Sequence, residues 1–110
     1  MREQTRAVLA ARFPRCRVEE AGDGAAAVTA ARRLQPLVIV MDLNMPGMGG
    51  LEATARIVAA LPDASVVVYT IEGGETVRSL ALKAGARAFV LKDDGVEALL
   101  GAIAAVPGCD

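Results

Sequence analysis

The stretch Leu37-Val38-Ile39-Val40-Met41-Asp42-Leu43-Asn44-Met45-Pro46-Gly47-Met48-Gly49-Gly50 decides the fold of this chain. Its first part is a short, β-branched apolar run, which predicts a strand buried on both faces, as in parallel α/β sheets. The carboxylate of Asp42 then lies at the carboxyl edge of the sheet, where open α/β folds place their chemistry. The step Met45-Pro46-Gly47 predicts a turn, because proline fixes φ and glycine permits a positive φ.

The rest of the chain alternates between helical and strand patterns. Apolar periodicity and the positions of proline and glycine predict helices over 2–12, 24–34, 49–60, 75–84 and 95–106, and strands over 16–20, 37–41, 65–70 and 87–91. In the third helix we expect Leu51, Ala55, Ile57 and Val58 to be buried. This order of elements favours an α/β fold with a parallel sheet and helices on both faces.

Composition excludes several classes of protein. The chain has 110 residues, enough for one domain with a modest core. Its net charge is -1, with 12 basic and 13 acidic residues, so no basic field attracts nucleic acid. The absence of histidine excludes histidine-based triads and histidine-ligated metal sites.

The two cysteines and the apolar segments indicate a cellular compartment. Cys16 and Cys109 lack metal-ligand spacing, and two cysteines in such a chain fit a reduced cytosolic protein better than a disulfide scaffold. No apolar segment has the length of a membrane span, and the N-terminus has no signal-peptide pattern. We therefore expect a cytoplasmic protein without direct membrane or nucleic-acid binding.

Three predicted strands end in different chemical groups. Asp42 supplies a carboxylate, Thr70 a hydroxyl and Lys92 an ammonium. The carboxyl ends of parallel strands share one edge of a sheet, so we expect these side chains to converge. The set suits phosphoryl transfer to a carboxylate, with Asp42 as the nucleophile, Lys92 neutralising phosphoryl oxygens and Thr70 donating a hydrogen bond.

With these residues in place, the chain resembles a response-regulator receiver domain of two-component signalling. Within that family it is most similar to receivers attached to LuxR-type helix-turn-helix effectors. The matching motifs span nearly the whole chain: Ala21-Gly22-Asp23-Gly24, Met41-Asp42-Leu43-Asn44-Met45-Pro46-Gly47-Met48, Tyr69-Thr70, Ala84-Gly85-Ala86 and Phe89-Val90-Leu91-Lys92-Asp93.

The resemblance implies a flavodoxin-like fold and a role for each matching residue. Asp42 is then the phosphoacceptor, Thr70 the switch hydroxyl and Lys92 the phosphate contact. Phe89 is the aromatic that changes rotamer on activation, and the main-chain carbonyl of Asn44 joins Asp42 as a ligand of Mg²⁺. The implied partner is a sensor histidine kinase, and the implied output is a switched protein–protein or dimerisation surface.

One departure from the family concerns the start of the chain. Receivers begin with a central strand and a pair of acidic residues that hold the magnesium, in a sheet of order 2-1-3-4-5. Met1 falls just after the place of that pair, so we expect a shortened domain of four strands with Mg²⁺ binding weakened or lost. Glu3, Glu19 and Glu20 are the candidate substitutes for the pair.

Three explanations of this departure stay open. The strand is missing through a misplaced start or a truncation, or the protein is a degenerate receiver, or the gap is filled. The gap left by the missing strand is filled either by a rearranged sheet, in which the flanking strands pair directly, or by exchange between two chains. We favour a homodimer or a rearranged sheet over a monomer with an open gap.

Two classes of function follow. The leading hypothesis is a phosphorylation-controlled signalling module, which is not a turnover enzyme, and any role in transcription then belongs to a region outside these 110 residues. The alternative is a pseudo-receiver that acts as a phosphorylation-independent interaction or dimerisation module.

Overall fold

The computed structural model describes residues 3–14, 18–21, 24–34, 36–43, 49–71 and 73–107. The predicted alternation of helices and strands is confirmed, with element ends within two residues of the predicted ones. The helices are α1 (Glu3–Arg12), α2 (Gly24–Leu34), α3 (Gly50–Ala60), α4 (Glu75–Ala84) and α5 (Val96–Ala104), and the strands are β1 (Val18–Ala21), β2 (Val38–Met41), β3 (Ser65–Thr70) and β4 (Ala88–Leu91).

The four strands form one parallel sheet in the order β1-β2-β3-β4. In the register, Val18 lies beside Val38, Val38 beside Ser65, and Val67 beside Ala88. The direct pairing of β1 with β2 differs from the order that the family resemblance implies, in which another strand separates these two. It matches the rearranged sheet among the open explanations, and it leaves no gap between the described strands.

The two central strands are buried on both faces, as their apolar sequences predict. Every residue of β2 is buried, and so are Val66, Val67 and Val68 of β3. Successive side chains of a strand point to opposite faces, so an uninterrupted apolar run needs helices on both sides of the sheet.

Each face of the sheet has its own core. On one face the sheet packs against α1 and α5, through Leu9, Phe13, Val38, Val40, Val67, Val90, Leu99, Leu100, Ile103 and Val106. On the other face it packs against α2, α3 and α4, through Ala27, Ala31, Ile39, Met41, Ala53, Ile57, Val66, Val68, Ala81 and Ala86.

The buried stripe of α3 differs from the predicted one. Ala55 is exposed, whereas Gly50, Ala53, Thr54 and Ile57 are buried at the i, i+3, i+4, i+7 spacing of one helix face. Burial of Thr54 is tolerated because its hydroxyl donates a hydrogen bond of 2.7 Å to the carbonyl oxygen of Gly50. The polar residue Thr54 therefore occupies a core position, whereas the apolar pattern predicted burial of its neighbour Ala55.

A glycine turn precedes β4 and a 3₁₀ turn follows it. Gly85 ends α4 at φ +113°, with the Ala86 N–H donating to the Ala81 carbonyl oxygen at 3.0 Å. That pattern is a Schellman cap, and it confirms Gly85 as the predicted helix stop. A 3₁₀ turn over Lys92–Asp94, which the sequence did not predict, joins β4 to α5.

None of the described helices is long and apolar enough to span a lipid bilayer.

Candidate functional site

The predicted site residues lie at the carboxyl ends of three adjacent strands, at one edge of the sheet. Asp42 directly follows β2, Thr70 is the last residue of β3, and Lys92 directly follows β4 as the first residue of the 3₁₀ turn. Because β2, β3 and β4 are neighbours and parallel, their carboxyl ends lie side by side. The structure therefore brings together the carboxylate, the hydroxyl and the ammonium that the sequence placed at strand ends.

The Asp42 carboxylate is the centre of the site, and its two oxygens have different partners. Lys92 Nζ lies 2.6 Å from Asp42 Oδ2 and forms an ion pair with it. The Thr70 hydroxyl donates a long hydrogen bond of 3.4 Å to Asp42 Oδ1. A single carboxylate is thus held between a cation and a hydroxyl donor.

Exposure differs sharply between the members of this set. The side chains of Asp42 and Lys92 are 29% and 33% exposed, whereas Thr70 is fully buried. A reagent in solution therefore has access to the carboxylate and the ammonium, while the hydroxyl approaches the carboxylate from within the protein.

Gly50, at the start of α3, packs closely against the backbone of Asp42. A Cβ atom at this position would lie 2.9 Å from the Asp42 carbonyl oxygen, 2.9 Å from Leu43 Cδ2 and 3.0 Å from Leu43 Cα. Real Cβ atoms essentially never approach backbone so closely, so the packing of α3 against the Asp42 segment requires glycine. The sequence predicted Gly50 as part of the third helix, and its pattern gave no sign of this contact.

Tyr69 is a second residue at the site that the sequence analysis did not assign a role. Its ring centroid lies 5.8 Å from Lys92 Nζ, within the range of a cation–π contact. The only signal in the sequence is its position immediately before Thr70, which puts its side chain on the opposite face of β3. The alternation of side chains along β3 predicts that face, but it does not predict the approach of Lys92 from the turn that follows β4.

Phe89, the predicted switch aromatic, lies on β4 opposite Val68 of β3. It is half-buried against the core formed by α2, α3 and α4, and it lines an open cavity of about 310 Å³ together with Gly74, Arg78 and Leu91. Its partial burial next to open space is compatible with a rotamer change, and its role stays a prediction.

The predicted magnesium ligands fall largely outside the described residues. Asn44 lies outside them, and so do the side chains of Glu3, Glu19 and Glu20. Cys16 and Cys109 also lie outside, so their predicted state stays a prediction.

The described residues do not by themselves fit a magnesium site. Across the described ranges, no group of three histidine, cysteine, aspartate or glutamate side chains is placed to hold a metal ion. Mg²⁺ requires near-octahedral oxygen ligation, and the carboxylate of Asp42, the predicted ligand that lies within the described residues, forms an ion pair with the Lys92 ammonium. The involvement of Mg²⁺ at this site therefore stays a prediction.

A profile of a known protein family matches nearly the whole chain. The profile described as "Response regulator receiver domain" matches residues 1–104. This chain belongs to the response regulator receiver domain family. The resemblance noted in the sequence is thereby confirmed, and with it the receiver-type α/β fold.

Known relatives of this receiver are bacterial response regulators. It is 38% identical over 86 residues to "Response regulator GacA" of Pseudomonas aeruginosa, covering 78% of this chain and 40% of that protein. It is 37% identical over 105 residues to "Uncharacterized transcriptional regulatory protein YxjL" of Bacillus subtilis, covering 96% of this chain and 48% of that protein. The receiver spans less than half the length of these curated relatives.

One relative carries the name of an enzyme. Over 81 residues the receiver is 47% identical to "Protein-glutamate methylesterase/protein-glutamine glutaminase 4" of Myxococcus xanthus, covering 73% of this chain and 23% of that protein. The match is confined to less than a quarter of that enzyme. The relatives above are named as regulators.

Solved receiver structures have the same fold. The signal receiver domain of a response regulator NarL from Mycobacterium tuberculosis superposes with a TM-score of 0.74 at 27% identity, covering 91% of this chain and 84% of that one. A LuxR-family DNA-binding response regulator from Staphylococcus aureus gives a TM-score of 0.70 at 30% identity, covering 76% of this chain and 70% of that one.

A third solved structure is described with the modification that the site chemistry suggests. It is a response regulator from Burkholderia pseudomallei "with a phosphorylated aspartic acid, calcium ion and citrate". Its TM-score is 0.73 at 27% identity, with coverage of 91% of this chain and 60% of that one.

Proposed function

We propose that Asp42 is the phosphoacceptor of this receiver and that a partner histidine kinase phosphorylates it. The observation that carries the proposal is the placement of one carboxylate between Lys92 Nζ, at 2.6 Å, and the Thr70 hydroxyl, at 3.4 Å. A nucleophile, a cation and a hydrogen-bond donor are the groups that phosphoryl transfer to a carboxylate requires.

The transfer itself needs little rearrangement of these groups. A carboxylate oxygen of Asp42 attacks the phosphorus and forms a new P–O bond, and the P–N bond of the kinase phosphohistidine breaks. The electron pair of that bond stays on the imidazole, which takes up a proton. Lys92 then offsets the negative charge of the phosphoryl oxygens, to which its ammonium has only a short distance to move.

The response to phosphorylation starts at the Thr70 hydroxyl. In the unmodified protein this hydroxyl contacts the Asp42 carboxylate, and a phosphoryl group there offers it a stronger, charged acceptor. Thr70 is fully buried on the face of β3 that packs towards α4, and Phe89 lies on the same face of β4. Movement of Thr70 therefore biases Phe89 and the surface formed by α4, β4 and α5, as a shift between two states of one domain.

Dimerisation on the switched surface is part of the proposal. Leu80 and Leu82 of α4 are 47% and 39% exposed, so they offer apolar area for a second copy of the receiver. Sedimentation velocity with and without phosphorylation tests this point, and a monomer under both conditions at high concentration contradicts it.

Intact-mass spectrometry with a small phosphoryl donor tests the phosphoacceptor directly. The wild type is expected to gain the mass of one phosphoryl group, and Asp42→Asn is expected to gain none while retaining the fold. Asp63→Asn is the matched control, because Asp63 is an exposed aspartate in the loop between α3 and β3. Running each sample with and without Mg²⁺ measures the predicted dependence on the metal.

Two results contradict the proposal. A gain that persists in Asp42→Asn places the modification elsewhere, and no gain in any folded sample favours the pseudo-receiver that acts through its surfaces alone.

A further inference from the structure

Tyr69 contacts the site from the face of the sheet opposite to Thr70. Side chains alternate along β3, so Thr70 packs towards α4 while Tyr69, half-buried, packs against the core under α5. From there the Tyr69 ring centroid lies 5.8 Å from Lys92 Nζ. Two successive residues of β3 therefore contact two different members of the phosphorylation site.

The ring lies near the side chain of the site that has the most rotatable bonds. A lysine side chain has four flexible carbons, and Lys92 is one-third exposed at the start of a three-residue turn. Holding such a side chain in one place costs conformational entropy. The negative face of an aromatic ring attracts an ammonium within about 6 Å, so Tyr69 favours the same ammonium position as Asp42 does.

We propose that Tyr69 is a positioning residue that holds the Lys92 ammonium at Asp42. In this role it acts through Lys92, whose ammonium lies 5.8 Å from the ring centroid. The consequence for phosphoryl transfer rests on the proposed function, whereas the positioning of Lys92 itself does not.

The composition of the chain provides a direct assay. Lys83 and Lys92 are the two lysines of the sequence, and Lys83 is exposed on α4. Limited acylation with an amine-reactive ester, followed by peptide mass spectrometry, gives the rate at Lys92 relative to Lys83 in the same molecule. Acylation requires Nζ to leave its partners, so a lost contact raises this ratio.

The expected result separates the ring from the hydroxyl of Tyr69. Tyr69→Leu removes the ring and is expected to raise the Lys92 to Lys83 ratio about two- to fivefold, the equivalent of an exposed cation–π contact. Tyr69→Phe keeps the ring and is expected to leave the ratio at the wild-type value. Asp42→Asn serves as a positive control, because it removes the stronger partner of Lys92.

Either of two outcomes overturns the positioning role. One is an unchanged ratio in folded Tyr69→Leu. The other is an equal rise in Tyr69→Phe and Tyr69→Leu, which points to the hydroxyl instead of the ring.

A measurement on the wild type covers the case in which Tyr69→Leu does not fold. After reductive ¹³C-methylation of the two lysines, the ring current of Tyr69 is expected to move the Lys92 signal upfield of its position in urea, with Lys83 unmoved. An unshifted Lys92 signal overturns the proposal.

The phosphorylation assay then distinguishes this inference from the proposed function. Tyr69→Leu is expected to take up the phosphoryl group about two- to fivefold more slowly than Tyr69→Phe. If the wild type takes up none, the proposed function fails while the acylation and NMR results still decide the role of Tyr69. If the wild type and Tyr69→Leu react equally fast, Tyr69 does not position Lys92 for the transfer.

Discussion

Lys92 Nζ lies 2.6 Å from Asp42 Oδ2, although 50 residues separate the two in the sequence. Both side chains are about one-third exposed, and ion pairs so close to solvent contribute only about 0–1 kcal/mol to stability. The Lys92 ammonium acts more strongly on a reaction that develops negative charge beside it. We therefore interpret the pair as a feature of the chemistry and not of the fold.

Replacing Lys92 separates its contribution to the stability of the fold from its contribution to phosphorylation of Asp42. Lys92→Met keeps the aliphatic stem, so we expect the free energy of unfolding in urea to change by less than about 1 kcal/mol. Phosphorylation of Asp42 is expected to slow about 100-fold, because a charged group that stabilises the transferring phosphoryl oxygens is lost. Lys83→Met is the control and should change neither quantity. A Lys92→Met protein that reacts at the wild-type rate contradicts the assigned role.

Thr70 allows the hydroxyl to be removed without a change of shape. Thr70→Val keeps the buried volume, and we expect Asp42 phosphorylation to slow about tenfold, in line with the loss of one hydrogen bond to a charged group. Thr70→Ser retains the hydroxyl and is expected to stay within about threefold of the wild type. The rates come from time courses of intact mass. Equal rates for the Val and Ser variants speak against a role for the hydroxyl.

Gly50 and Gly101 form a matched pair of glycines within helices. Gly50→Ala forces a Cβ against the backbone of Asp42 and Leu43, so we expect a loss of about 1–3 kcal/mol in unfolding free energy and slower phosphorylation. A Cβ at Gly101 in α5 would meet no described atom within 4 Å beyond its chain neighbours and the nearby helix backbone, and Gly101→Ala is expected to stabilise the protein by about 0.5–1 kcal/mol. Urea unfolding of both variants checks the opposite signs, and a stabilising Gly50→Ala refutes the close approach.

Two features at position 85 favour glycine: a left-handed backbone conformation and the lack of space for a side chain. At φ +113° an alanine is strained, and its Cβ would lie 3.0 Å from Val58 Cγ1. We expect Gly85→Ala to cost about 1–3 kcal/mol in unfolding free energy. In a cycle with Val58→Ala, the double variant should be less destabilised than the sum of the single ones, because the clash disappears. Strict additivity would leave only the backbone strain as the cause.

Much of the site followed from the sequence for a simple reason. Asp42, Thr70 and Lys92 stand at the ends of apolar strand patterns, and parallel strands bring their carboxyl ends to a common edge. The roles of these residues stay predictions, as does that of Phe89. Patterns of this kind report which face or end of an element a residue occupies, and nothing about its partner on another element.

For that reason, three features could be identified only in the folded structure. The buried stripe of α3 includes Thr54 instead of Ala55, because packing of the helix and a hydrogen bond to Gly50 outweigh apolarity. The approach of α3 to the Asp42 backbone and that of Tyr69 to Lys92 depend on the spacing between separate elements. The periodicity of a single segment carries no information about its distance from other segments.

The sequence by itself determined the order of helices and strands, the parallel α/β class and the three strand-end groups, because these depend on local periodicity and on breakers such as Pro46 and Gly85. Only the tertiary structure decided the direct pairing of β1 with β2 and the 2.6 Å contact between Lys92 and Asp42. Strand neighbours and side-chain distances follow from how two cores pack on opposite faces of one sheet. That packing is a property of the whole chain and of no single stretch of it.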